Sequence, residues 1–251
     1  MARQTGIIKL KGTIGDISFY KTSDGHLARE KGGPDANRIA NDPAFQRTRE
    51  NGSEFGRAGK GGKLLRIALR SMMQNASDRR VTSRLTKKLV SVVQTDVLND
   101  RGSRTIQNGD LNLLSGFEFN INGKLASVFF PSYTSAIDRV AGTAVVNLPD
   151  IIPLNDIVTP GGTTHFRVSV GAAEIDFENE THVFSSEASA ILPWNSATVP
   201  AAVLTANLTP NSLLPIVQVI EVEFFQEVNG QMYSLKNGAY NALGVVAIDM
   251  P

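Results

Sequence analysis

Ile216-Val217-Gln218-Val219-Ile220-Glu221-Val222-Glu223-Phe224-Phe225-Gln226-Glu227-Val228-Asn229-Gly230-Gln231-Met232-Tyr233-Ser234-Leu235 contains the clearest fold signal in the chain. β-Branched and aromatic residues flank Asn-Gly, the dipeptide that most easily takes the positive φ angles of a two-residue hairpin turn. Strands are therefore expected over 216–228 and 231–235. A second Asn-Gly, Asn122-Gly123, predicts another hairpin, with strands over 117–121 and 124–130. Further strand-like runs lie at 142–148, 164–170, 173–177, 181–185 and 244–248, separated by loops rich in Pro, Gly, Ser and Asn. About eight antiparallel strands spaced in this way predict a β-sandwich over 111–251.

Working back toward the N-terminus, the hydrophobic period changes from strand to helix. Leu64, Leu65, Ala68, Leu69, Met72 and Met73 share one helical face. Ser77-Asp78 supplies a helix start for a second stripe, Val81, Leu85, Leu89, Val92, Val93 and Val97. Together they predict a helical hairpin. Asn41-Asp42-Pro43 signals an earlier helix, which Gly59-Lys60-Gly61-Gly62 is expected to loosen or break, since each interior Gly costs about 1 kcal/mol relative to Ala.

The opening 33 residues read as a β-hairpin arm. Ile7, Ile8, Leu10, Ile14, Ile17, Phe19 and Tyr20 form its apolar set, and Asp24-Gly25 turns the chain into a third short strand at 26–29. An arm this size has too few apolar residues to build a core alone. These residues are the candidate self-association surface.

Charge divides the chain. Residues 1–110 carry 21 Lys+Arg against 11 Asp+Glu, and residues 111–251 carry 4 against 13, so the overall net charge of +1 conceals halves of +10 and −9. The expected organisation is an arm over 1–33, a basic helical region over 34–110 and an acidic β domain over 111–251. The halves neutralise each other within a subunit or between subunits, or the basic part meets nucleic acid. Arg66, Arg70, Arg80, Arg84, Lys87 and Lys88 form the candidate basic face. On a continuous strand over 174–182, Glu174, Asp176, Glu178 and Glu180 project to one side with His182. That face can be simply solvated, hold a hard cation, or dock basic residues.

Little in the sequence points to catalysis. There is no Cys, hence no thiolate nucleophile or cysteine metal site, and the three histidines, His26, His165 and His182, are scattered. Neither a Gly-x-Ser-x-Gly elbow nor a His-Glu-x-x-His helix is present. The stretch 56–63 has the composition of a phosphate loop but fails its spacing, and Leu64 stands where Ser or Thr would hold magnesium. No run approaches the roughly 20 apolar residues of a membrane-spanning helix. The start lacks an apolar signal region, so a cytoplasmic location is the default expectation, with release by lysis or a non-standard export route leaving no mark.

The stretches 6–20, 28–33, 47–56 and 225–233 resemble an uncharacterised family of Bacteroidota proteins. That resemblance implies a bacterial setting and transfers no functional residues. The expectation from sequence is an α+β, non-catalytic structural subunit without cofactor, metal or small-molecule substrate. It is expected to assemble with copies of itself into an oligomer, filament, tube or phage-like particle. Nucleic-acid binding or packaging through the basic helices is the alternative.

Overall fold

The computed structural model describes residues 2–251, so Met1 of the expected arm lies outside the described residues. The chain divides into two compact units, residues 1–49 and 50–251.

In the first unit, β1 (Ala2–Arg3), β2 (Gly12–Ile14), β3 (Ile17–Thr22) and β4 (Gly25–Glu30) form a four-stranded antiparallel sheet in the order β1-β4-β3-β2. The return strand at β4 is where the Asp24-Gly25 turn places it. Ile7, Ile8 and Leu10 instead occupy the loop between β1 and β2, pinned by Gln4. The Gln4 side chain accepts from Leu10 N (2.8 Å) and donates to Leu27 O (2.9 Å). Helix α1 (Ala36–Asn41) follows, its first N–H groups capped by Asp35. Asp42 caps a single 3₁₀ turn at Pro43–Phe45, and the Asp42 carboxyl lies below its usual range chiefly because Ala44 N–H donates to it.

The second unit begins within α2 (Gln46–Ala68), a continuous helix through the expected glycine break. The reason is packing. A Cβ at Gly61 would stand 2.1 Å from Ile106 Cδ1, so the missing side chain lets a loop and Phe177 approach the helix. Contacts to neighbours here outweigh the propensity cost of glycine. Short α3 (Arg70–Met73) and the amphipathic α4 (Val81–Gln94) complete the helical hairpin.

The remainder comprises α5 (Leu125–Val128), β5 (Thr134–Asp138), β6 (Thr143–Leu148), α6 (Pro153–Asp156), β7 (His165–Asp176), β8 (Thr181–Ala188), β9 (Leu192–Pro193), β10 (Ala202–Asn207), β11 (Ile216–Val228), β12 (Gln231–Ser234) and β13 (Ala242–Asp249). The runs at 164–170 and 173–177 are one strand, β7. The hairpin at Asn229-Gly230 forms as expected, with φ of 51° and 76° at the two turn residues. The one at Asn122-Gly123 does not. Residues 116–119 run beside β13 instead, through Phe119 N to Leu243 O and Val245 N to Phe117 O, and α5 follows. Gly123 serves close approach rather than a hairpin, because a Cβ there would lie 2.2 Å from the backbone oxygen of Tyr240.

Strands β12, β11, β7 and β8 form the spine of a six-stranded sheet, with β13 and β9 also paired to β11 and β7, and β10-β6-β5 form a three-stranded sheet. These are not the two faces of a closed sandwich. Side chains of β8 bridge to β10, Ser185 accepting from Asn207 N at 3.1 Å and Glu187 from Thr205 N at 2.5 Å, so the sheets curl into a half-barrel. One core fills the inside of the curl, including Phe166, Val168, Ile220, Phe224, Val146 and Leu204. A second lies between the outer face of the large sheet and the helices, including Leu65, Leu69, Leu85, Leu89, Val217 and Val219. The helical region and the β region thus share a core.

Two glycine substitutions separate these packing roles. Gly123→Ala should lower the unfolding free energy by about 1–3 kcal/mol, because backbone must move to admit the methyl group. Gly56→Ala, on a helical face with open space, should raise it by about 0.5–1 kcal/mol. Urea unfolding of both variants checks the sign.

Candidate functional site

The N-terminal unit exposes several large apolar side chains. Cross-strand register places Ile14, Ile17 and Phe19 on one face with Ala28, and Tyr20 on the other with Leu27. Arg29 lies over the Tyr20 ring, 5.4 Å from its centroid. Not one described residue of 2–49 is buried. Of the candidate self-association residues, Ile7 is fully exposed, Ile8 is 81 % exposed and Ile14 is 63 % exposed; Leu10 and Ile17 are exposed too, whereas Phe19 and Tyr20 are half-buried. They do not form one patch, since Ile7, Ile8 and Leu10 are on the loop and Tyr20 faces away from Ile14.

The acidic face does not assemble. Strand β7 ends at Asp176, and residues 177–180 turn, with Glu180 at a φ of 55°. Asp176 makes that turn by accepting from Glu178 N (3.0 Å), Asn179 N (2.9 Å) and Asn179 Nδ2 (2.7 Å), and the Asn179 bonds hold its carboxyl below the usual range. Glu174 is buried inside the curl and accepts from Thr209 N. Only Glu178 and Glu180 remain exposed. They border a cleft of about 380 Å³ with Arg57, Lys60, Leu64 and Phe177, and Lys60 Nζ lies 3.7 Å from Glu180 Oε1. Among the described residues no three His, Asp or Glu side chains gather as metal ligands do.

The basic face keeps five of its six members. Arg84 is withdrawn: it pairs with Asp78, donates to Glu118 O (2.6 Å) and Phe119 O (3.2 Å), and covers the Phe117 ring. It fastens α4 to the segment beside β13. Arg66, Arg70, Arg80, Lys87 and Lys88 stay at the surface of the helical hairpin, Arg66 partly covered and donating to Gly62 O.

Sequence reading missed a buried ionic group on β11. Glu221 and Glu223 point to the helix side of the sheet, opposite Ser169 and Arg167 of β7. Glu223 Oε2 accepts from Arg167 Nε at 2.7 Å and lies 2.6 Å from its Nη2. Glu221, 3 % exposed, has an Oε1 with no hydrogen-bond partner. Burial pushes its pKa up to about 9, helped by the charge of Glu223 and opposed by Arg167. The available signal was two carboxylates at period 2 inside an otherwise apolar strand. It was hidden because alternation usually marks a solvated face.

No helix of the described residues is long and apolar enough to cross a membrane. No family model, curated protein or solved structure matches the chain.

Glu221 generates a pH prediction. Its folded pKa of about 9 exceeds the ordinary 4.5, so its favourable linkage is complete below about pH 4.5 and is lost as pH rises toward 9. Glu221→Gln keeps the neutral shape and removes the titration. Urea unfolding at pH 8 should find the variant more stable by on the order of 5 kcal/mol, a gap that closes near pH 5.

Proposed function

We propose that the chain is a non-catalytic structural subunit that assembles with copies of itself through its N-terminal sheet. The observation that carries this reading is a four-stranded sheet without a single buried residue, with Ile14 and Ile17 exposed on one of its faces and Ile7 and Ile8 exposed on the loop between β1 and β2. A sheet needs an apolar face covered to be stable, and exposed apolar patches together with free strand edges are surfaces that other chains cover.

Residues 50–251 offer a receiving edge. Strand β12 is exposed along its whole length, including Met232 and Tyr233, and Glu227 stands opposite Met232. An arm carrying Lys9 and Lys11 suits an apolar edge beside a carboxylate. Such a contact joins unlike surfaces, so it propagates from copy to copy and builds a ring if the rotation closes or a filament if it does not.

Charge supports the same reading. Within residues 50–251, Lys60–Glu180 is an ion pair that joins the basic helices to the acidic remainder. Both side chains are largely exposed, and a pair of that kind contributes about 0–1 kcal/mol. Such a pair neutralises little of the opposition between the basic helices and the acidic strands of residues 50–251.

Deleting residues 1–33 should leave a folded remainder, because both hydrophobic cores lie wholly within residues 50–251. Light scattering should find the full chain oligomeric at low ionic strength and the truncated chain monomeric. A full-length protein that stays monomeric at every concentration and salt would overturn the proposal, as would a truncated chain that unfolds.

A further inference from the structure

We propose that the groove between α2 and α4 binds the phosphate backbone of duplex nucleic acid without reading its sequence. Residues 55–95 contain ten Lys or Arg and one acid, Asp78. That acid is already engaged, by Arg84 and by the backbone N–H groups of Arg80 (2.6 Å) and Ile121 (3.1 Å). Three of the cations are held by partners outside their own helix, while Arg66 donates to Gly62 O within α2. Arg84 points inward, Lys60 meets Glu180, and Arg57 donates to Gly102 O (2.7 Å) and Arg104 O (3.0 Å). The other seven, Lys63, Arg66, Arg70, Arg79, Arg80, Lys87 and Lys88, have no ion pair among the described residues.

Five of them line two adjoining grooves. The first, of about 520 Å³, is bordered by Lys63, Arg66 and Arg70 from α2 and α3. The second, of about 840 Å³, is bordered by Arg79 and Lys87 with the hydroxyls of Ser83, Thr86 and Ser91. Thr82 belongs to both, and no carboxylate lines either. The first groove carries its cations on the α2/α3 wall and the second on the α4 wall with its hydroxyls, and these are groups that contact phosphate oxygens. So many like charges held together repel one another, and a polyanion relieves that repulsion.

The acidic half of a second copy is the competing occupant, and many of its carboxylates are already tied into its own fold. Glu174, Glu187, Asp138, Asp150 and Asp156 accept backbone N–H groups, and Glu223 and Asp249 pair with Arg167 and Arg139. Duplex DNA, by contrast, brings one phosphate charge per roughly 1.7 Å of its axis. Single strands are held largely by stacking on aromatic rings, and Phe55 is the one aromatic residue lining either groove.

The test is fluorescence anisotropy of the full-length protein with a labelled mixed-sequence duplex DNA, titrated over a range of salt. The expected result is binding at low salt whose log K falls with log salt at a slope of about −4 to −6. Arg66→Glu/Arg70→Glu and Arg79→Glu/Lys87→Glu should each weaken binding at least about tenfold. Arg66→Lys/Arg70→Lys should retain it, since a point charge suffices for phosphate, and this variant guards against loss through misfolding. Absence of binding at low salt would overturn the proposal. So would tighter binding to a single strand of the same sequence, or equal displacement by poly-glutamate.

Discussion

Strand β11 is buried on both faces along most of its 13 residues, and the rest of the larger unit is arranged to cover it. One edge pairs with β7 over ten residues, and the other pairs with β13 and then β12. Val217 and Val219 meet the helices, while Ile216, Ile220, Val222 and Phe224 fill the inside of the curl. Full burial of each such side chain contributes about 1.5–3 kcal/mol, so the strand is a large part of the hydrophobic stabilisation. Its polar members must then find partners in a place without water. Gln218 donates to Val145 O at 3.2 Å, Glu223 has Arg167, and Glu221 is neutralised by taking up a proton.

Asparagine and glycine show how far the sequence could be read. Asn229-Gly230 joins two apolar runs and turns as its composition demands, because nothing else competes for it. Asn122-Gly123 has the same composition and does not form a hairpin. Asn120 donates to the oxygens of Ala239 and Asn241 (3.0 and 2.8 Å), and Tyr240 O stands against Gly123. Those partners lie more than a hundred residues away along the chain, so no local pattern announces them. Gly61 teaches the same lesson in a helix. Period and turn chemistry revealed which stretches are strands and helices; distant packing decided where they continue.

The two halves treat their charges differently. In the acidic half, carboxylates are structural parts: Asp138 and Asp176 shape turns, Glu174 and Glu187 tie neighbouring segments to the sheet, and Asp249 holds Arg139. In the basic helices, most cations have no such task. Composition alone made the halves look like equal and opposite surfaces. Hydrogen bonding makes them unequal, because a carboxylate that accepts backbone N–H groups is fixed in place by its own fold, whereas an exposed unpaired guanidinium is free to turn to a partner.

Arg84 and Arg80 make the limit of site reading concrete. Both sit on the helical face defined by spacing, and spacing cannot separate them. Arg84 lies above Phe117 with two backbone oxygens in reach, 34 and 35 residues later in sequence, and so becomes a clamp between α4 and the sheet. Arg80 has no inward acceptor and stays in solvent. Helical periodicity predicts which way a cation points. Whether it supports the fold or remains free for a partner depends on what the rest of the chain brings beneath it, and that is settled by β13 and the segment beside it rather than by the helix.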